Sequence, residues 1–238
     1  MWPFGASAAG GEPVISVVIP VLNEAQALPP ALERVRPLFS GHEIIVVDGG
    51  SDDGTPDLAA SYAGVRVIES PPGRGRQIDC GAEGAEGDVL LVLHADAGLD
   101  GGSPAAIEEA VASGARWGWH PVRYRSTCKA LGLIARSINA AARVLSAPFG
   151  EHAMFATREA WAEAGGCPHV PLLEDLILAR RLRALCRGVP LAAGVEVSAR
   201  RYERWGVMRM GLVSSAILVG GALGIDPRKL ERLYPDVR

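Results

Sequence analysis

Apolar residues come in short unbroken runs through the first half of the chain. VISVVIP (14–20), EIIVVD (43–48), VRVIE (65–69) and DVLLVLHAD (88–96) each read as a strand. The first, stopped by Pro20, and the second have the continuous apolar character of strands buried on both faces. Helical patterns lie between them. EAQALPPALERVRPLF (24–39) reads as a helix that Pro29 and Pro30 delay or kink. A short helix follows near 55–62, GRGRQIDCGAEGAEG (73–87) reads as a loop and a helix, and SPAAIEEAVAS (103–113) opens on a Ser-Pro start. Strand and helix alternate through residue 113. That order predicts an α/β fold with a mostly parallel sheet flanked by helices. Ligands of such sheets bind beyond the carboxyl ends of the strands, where Asp48 and Asp96 stand.

The second half is less regular. Residues 115–124 and 151–158 read as strands, 128–146 as a helix, and 172–186 as a helix with Arg opposite its apolar face. MGLVSSAILVGGALG (210–224) has no charge over 15 residues. It is short for a membrane span. A packed core helix is the first expectation; a peripheral membrane contact or a homo-oligomer contact through 210–224 is the alternative.

Composition narrows the class. The chain has 238 residues, 48% of them hydrophobic, enough for one continuous domain with a large core. Three parts are expected: a flexible tail at 1–13, a first half at 14–113 and a second half at 114–238 with C-terminal helices. The net charge of −3 hides an asymmetry. Residues 1–119 carry 17 acids and 6 bases, net −11; residues 120–238 carry 10 acids and 18 bases, net +8. An acidic half against a basic half suits a metal beside an anionic ligand; solvated charges placed by chance are the alternative. No basic run with interleaved aromatics occurs, which argues against nucleic acid as a partner. Four cysteines at 80, 128, 167 and 186 form no CxxC, so buried free thiols are expected rather than a zinc knuckle or a disulfide framework. The first residues lack a basic n-region and an apolar core, so the expected location is cytoplasmic, with membrane association as the alternative.

VVIPVLNEA, IIVVDGGSDDGT, HAD and LLED occur in that order. Together they resemble the family 2 glycosyltransferases, which have the GT-A fold, a Rossmann-like sheet with a C-terminal acceptor-side helical extension. GRGRQ, GGCPHVPLLED and ARRYERWG extend the likeness, over about residues 15–235, to short transferases associated with radical-SAM and selenodomain proteins. The resemblance implies that 14–113 binds a nucleoside-diphosphate sugar, a UDP-sugar first among donors, and that 114–238 meets an acceptor the sequence does not identify.

Residue roles follow from the matched motifs. Pro20, Asn23 and Glu24 lie where the family places part of the nucleobase pocket; a helix cap with a first-turn acid is the alternative for Asn23 and Glu24. Asp48 at a strand end can accept hydrogen bonds from ribose or base, and Gly50 lets the backbone turn tightly. Asp52 or Asp53 is as well suited to capping the next helix. His94, Ala95 and Asp96 stand at the DxD position. Asp96 matches the acid that holds Mg2+ or Mn2+ against the two phosphates, with His94 in place of the first acid. Arg74 is a candidate for phosphate or base, and Arg200 and Arg201 for the pyrophosphate, with surface arginine the alternative for all three. Asp175 matches the general base and Glu174 its helper; complementing a helix dipole would also explain them. Glu151, His152 and Trp205 are expected on the acceptor side. The implied activity is metal-dependent, inverting hexosyl transfer. A nucleotidyltransferase, a membrane-associated lipid-phosphate glycosyltransferase and a non-catalytic nucleotide-sugar-binding protein are the competing readings.

Overall fold

The structure is a computed structural model that describes residues 12–149, 151–222 and 224–233. The expected tail therefore lies outside the described residues except for Glu12 and Pro13. Strand β1 (Ile15–Val21) is buried along its whole length, as its apolar run requires. Helix α1 (Leu28–Leu38) starts four residues later than its pattern because Pro29 and Pro30 occupy the first turn, where no amide donor is needed. Strand β2 (Glu43–Asp48), helix α2 (Thr55–Ala60), strand β3 (Val65–Glu69) and helix α3 (Arg74–Gly84) follow as the pattern predicts. Strand β4 (Val89–Val92) is shorter than expected. The chain leaves the ladder after Leu93 and turns, with the Ala97 amide donating to the His94 carbonyl at 3.1 Å.

Next come β5 (Gly98–Leu99) and α4 (Ser103–Ala112). The expected strand at 115–124 is two strands: β6 (Trp117–Trp119) and β7 (Val122–Arg125) belong to different sheets, parted at His120–Pro121. Helix α5 (Lys129–Leu145), β8 (Met154–Thr157), α6 (Arg158–Glu163) and α7 (Glu174–Leu185) follow. The chain then forms β9 (Val189–Pro190), β10 (Val195–Ser198), α8 (Arg200–Trp205), α9 (Val207–Ala222) and α10 (Pro227–Glu231).

The main sheet has the order β3-β2-β1-β4-β8-β6-β9, and β5-β10-β7 form a small second sheet. Strands β3, β2, β1 and β4 are parallel, and β8 runs antiparallel between β4 and β6. Alternation along β1 sends Val17 and Ile19 into a core under α1 and α4, and Val18 into one under α3, α6 and α7. Two smaller clusters lie apart. Leu131, Ala199, Tyr202 and Met210 hold the first turns of α9; Leu173, Leu176, Ile217 and Leu230 hold its last turns. One side of α9 is thus packed, while Leu212 and Val219 are exposed. No described helix is long and apolar enough to cross a membrane. Cys128 is exposed and only Cys167 is fully buried, which corrects the expectation of four buried thiols.

Candidate functional site

Asp48 and Asp96 share one rim of the main sheet. Asp48 is the last residue of β2 and Asp96 follows the carboxyl end of β4, with β1 between the two strands. Their uses differ. Asp48 is buried, and its Oδ2 accepts from the Gly50 and Ser51 amides, each at 2.9 Å; the Ser51 hydroxyl donates to Oδ1 at 2.5 Å. Its carboxylate closes its own turn, which Gly50 makes possible at a φ of 94°. Asn23 is occupied similarly. Its Oδ1 accepts from the Asp52 amide at 2.9 Å, and its amide donates to Ser51 Oγ at 2.8 Å. Asp53 accepts from the Thr55 amide and from the Ala25 amide, each at 3.0 Å, so it steadies the entry to α2, whose N-cap is Gly54, and ties the first loop to the second. The Thr55 hydroxyl, bonded to Asp53, is the main cause that holds the Asp53 carboxyl below its usual range.

Helix α3 fixes the segment that leads into α7. Arg74 pairs with the buried Glu174. Asp79 accepts from the Cys167 amide at 3.0 Å and meets His169 Nε2 at 3.2 Å. Gly75 lets the segment close in: a Cβ there would stand 2.2 Å from the Pro168 carbonyl oxygen. Leu173, in the left-handed region at φ 65°, then turns the chain into α7. Asp175, the second residue of that helix, opens on a cavity. Glu174 does not line it, and its Oε2 is buried without a hydrogen-bond partner among the described residues. Sequence spacing joined Glu174 to Asp175 as a helper; its geometry makes it the clamp for Arg74.

The cavity, about 410 Å³, lies beyond the sheet rim and extends between α5 and α9. Arg74, His94, Asp96, Glu151, Asp175, Arg200 and Arg201 line its charged end. Arg200 Nη2 stands 3.3 Å from Asp96 Oδ2 and 3.9 Å from Glu24 Oε1, so an arginine of the basic half joins two acids of the acidic half. Pro20, Asn23, Glu24, Asp48, Gly50 and Ala95 lie at the same rim but do not line the cavity. Pro20 and Ala95 are buried, Ala95 within the core under α1.

His152 also turns away from the cavity. It is buried, with Nδ1 2.9 Å from the Phe149 carbonyl and Nε2 3.2 Å from Asn139 Oδ1. Burial lowers its pKa to about 4, and the same holds for the neighbouring His120. Its acceptor-side placement from sequence is thereby corrected: it is a neutral core histidine. Trp205 packs beside the first cluster of α9, under the guanidinium of Arg209, whose carbon is 4.6 Å from the ring centroid. It too lies off the cavity wall.

Two tyrosines that the sequence did not single out complete the charged end. The Tyr124 and Tyr202 hydroxyls are 3.1 Å apart, and Tyr124 hydrogen-bonds Glu151. Burial raises the Glu151 pKa and the negative charge of Asp96 adds to it, while Tyr124 and Arg201 pull the other way. Burial likewise raises Tyr124, with Glu151 contributing. Only one signal in the sequence pointed to them: Tyr202 lies inside ARRYERWG.

Among the described residues no three His, Cys, Asp or Glu side chains are grouped to hold a metal. The cavity therefore does not fit a closed protein cage. It fits the open kind of Mg2+ or Mn2+ site, which takes one or two carboxylates and completes its shell with substrate phosphates and waters. Asp96, half-buried on the wall and already facing a cation in Arg200, is the carboxylate for such a site.

Residues 16–103 match the family model for Glycosyl transferase family 2. An uncharacterized glycosyltransferase of Mycobacterium bovis is 33% identical over 96 residues, which are 40% of this chain and 43% of that protein. The chain thus spans less than half the length of this relative. Among solved structures, a mannosyltransferase from Pyrobaculum calidifontis in complex with GDP-Man and Mn2+ superposes with a TM-score of 0.62 at 19% identity, over 87% of this chain and 63% of that one. Glucosyl-3-phosphoglycerate synthase from Mycobacterium tuberculosis, in complex with Mn2+, UDP and phosphoglyceric acid, gives a TM-score of 0.55 at 23% identity, over 78% and 68%. The fold is that of the GT-A glycosyltransferases, and residues 16–103 are similar to the Glycosyl transferase family 2 model.

Proposed function

We propose that the protein transfers a sugar from a nucleoside-diphosphate sugar to an acceptor hydroxyl, with inversion. The observation that carries this reading is the shared cavity: Asp96 and Asp175 open on it together, with Arg74, Arg200 and Arg201 around them. The match of residues 16–103 to the Glycosyl transferase family 2 model supports it, as do the structural neighbours crystallised with Mn2+ and UDP or GDP-Man. The donor is a UDP-sugar first and a GDP-sugar second. On GRGRQ, GGCPHVPLLED and ARRYERWG we further propose that the chain groups with the short transferases associated with radical-SAM and selenodomain proteins.

Asp96, with His94 beside it, would hold a divalent Mg2+ or Mn2+, which would supply Lewis-acid neutralisation of the charge that develops on the departing nucleoside diphosphate. Arg200 and Arg201 stabilise the same charge from the α8 side, in a partly dry cavity where such charges act strongly. Asp175 takes the proton of the acceptor hydroxyl as its oxygen attacks the anomeric carbon. The bond from that carbon to the diphosphate breaks, and its electron pair leaves with the diphosphate. Attack from the opposite face inverts the anomeric configuration. Glu151, held protonated more readily than an exposed glutamate, orients the acceptor with Tyr124 and avoids a second full negative charge beside Asp175.

A thermal-shift screen of UDP-, GDP-, CDP- and dTDP-sugars, with and without Mn2+, identifies the donor by its rise in Tm. NMR of the product then reads the anomeric centre. Inversion is expected; a retained configuration would remove Asp175 from the role of base.

A further inference from the structure

The cavity has two kinds of wall. Helices α5 and α9 contribute no charged side chain to it: their share is apolar, Ile134 and Ile138 of α5 and Met210, Ile217 and Leu218 of α9, interrupted only by glycine and serines. Along α9 the slot lies beside two small packed clusters, one near each end of the helix. It is continuous with the space before Asp175. A purely polar acceptor would leave this apolar lining against water, an arrangement that marks binding surfaces.

We propose that the slot between α5 and α9 receives the aliphatic part of an amphiphilic alcohol, whose hydroxyl is the acceptor presented to Asp175. The proposal rests on the glycosyl-transfer reading above and names its acceptor class. The head group is an alcohol rather than a phosphate because Asp175 opens on the same cavity: an alcohol needs a base to take its proton as its oxygen attacks, and a phosphate, already anionic, does not.

The test uses the whole protein and n-hexyl, n-heptyl, n-octyl and n-nonyl β-D-glucosides, titrated by calorimetry below their micelle concentrations. Affinity is expected to rise by up to about fourfold per added methylene, the factor that corresponds to about 0.8 kcal/mol for each buried methylene. Ser137 on α5 and Ser215 on α9 are exposed and line the slot from opposite walls. Ser137→Trp and Ser215→Trp are each expected to weaken octyl glucoside binding at least tenfold with Tm unchanged. Affinity that ignores chain length, or that both tryptophan variants leave intact, overturns the proposal. So does n-octyl phosphate binding tighter than the glucoside. So do two other outcomes without saturable glucoside binding: co-sedimentation with phosphatidylcholine vesicles, or a dimer that Ser215→Trp breaks. Parallel titration with UDP- and GDP-sugars and Mn2+ separates the two levels. Lost glucoside binding with intact donor binding sinks only the acceptor class; absent donor binding sinks only the reaction.

Discussion

The two halves of the molecule hold their functional residues in different ways. In the first half, β1, β2 and β4 lie in the middle of the fold between two large cores, and the loops beyond them are tied to each other. Gln77 adds to this: its Nε2 donates to the Val21 and Val47 carbonyls at 2.6 and 3.0 Å, joining the ends of β1 and β2. In the second half, α8 and α9 rest on small satellite clusters, and Arg200 of α8 reaches back to the rim. The contrast separates two jobs. A rigid rim presents Asp96 at a fixed place, and a lightly anchored wall carries the cations and apolar side chains that meet ligands. Elements with few buried contacts open at low free-energy cost, so the second wall is the side that can yield as ligands enter.

The comparison breaks most sharply at the chemistry. Asp175→Asn keeps the shape of the cavity and removes the proposed base; kcat is expected to fall by about 10² to 10⁴ while donor binding persists. An equal loss of donor affinity would place Asp175 among the donor's contacts instead. Stability gives the next largest contrast. Leu91→Ala hollows the central core and is expected to cost about 2–5 kcal/mol of global stability by denaturant titration. Ile217→Ala, in the satellite cluster, is expected to act locally, speeding hydrogen exchange within 207–222 more than it lowers the global transition.

Acid comes third. His120 and His152 are buried with pKa values lowered to about 4 against 6.5 for an ordinary imidazole. The unfolded chain therefore binds more protons between these values. Their stabilisation is present above about pH 6.5 and is lost as pH falls toward 4, by roughly 3 kcal/mol for each histidine. Glu151 works in the opposite sense, because its raised pKa makes the native chain keep a proton that the unfolded chain gives up. Urea titrations from pH 7 to pH 4.5 should show falling stability, and His152→Gln should flatten the slope. The smallest effect is that of Arg200→Ala, which removes one cation near Asp96. It is expected to raise the donor KM about tenfold, the order of a charge-assisted hydrogen bond.

Much of the fold was legible because burial on both faces leaves a plain mark. Strand β2, buried on both faces, has the bounds its apolar run predicts, and the half-buried edge strand β3 keeps its bounds as well. The pattern was silent where pairing depends on distant chain: β5 and β9 have two residues each, and β10 is placed by partners far away in sequence. At His120–Pro121 a single apolar stretch is shared between two sheets, which periodicity does not encode. The site divides in the same way. His94, Asp96, Asp175 and the α8 arginines were readable as motifs and meet at one cavity. Asp48 was readable as an acid at a strand end, but its three local hydrogen bonds belong to the folded turn. Glu174 and Arg74, 100 positions apart, become a pair only when α3 meets α7.

The account stands on a donor diphosphate held at Asp96 inside the shared cavity. Calorimetric titration of UDP- and GDP-sugars into the wild-type protein and into Asp96→Ala, each with Mn2+ and with EDTA, tests this directly. Saturable binding by the wild type that requires both Mn2+ and the Asp96 carboxylate is the predicted result. Donor binding that survives both EDTA and Asp96→Ala would contradict it.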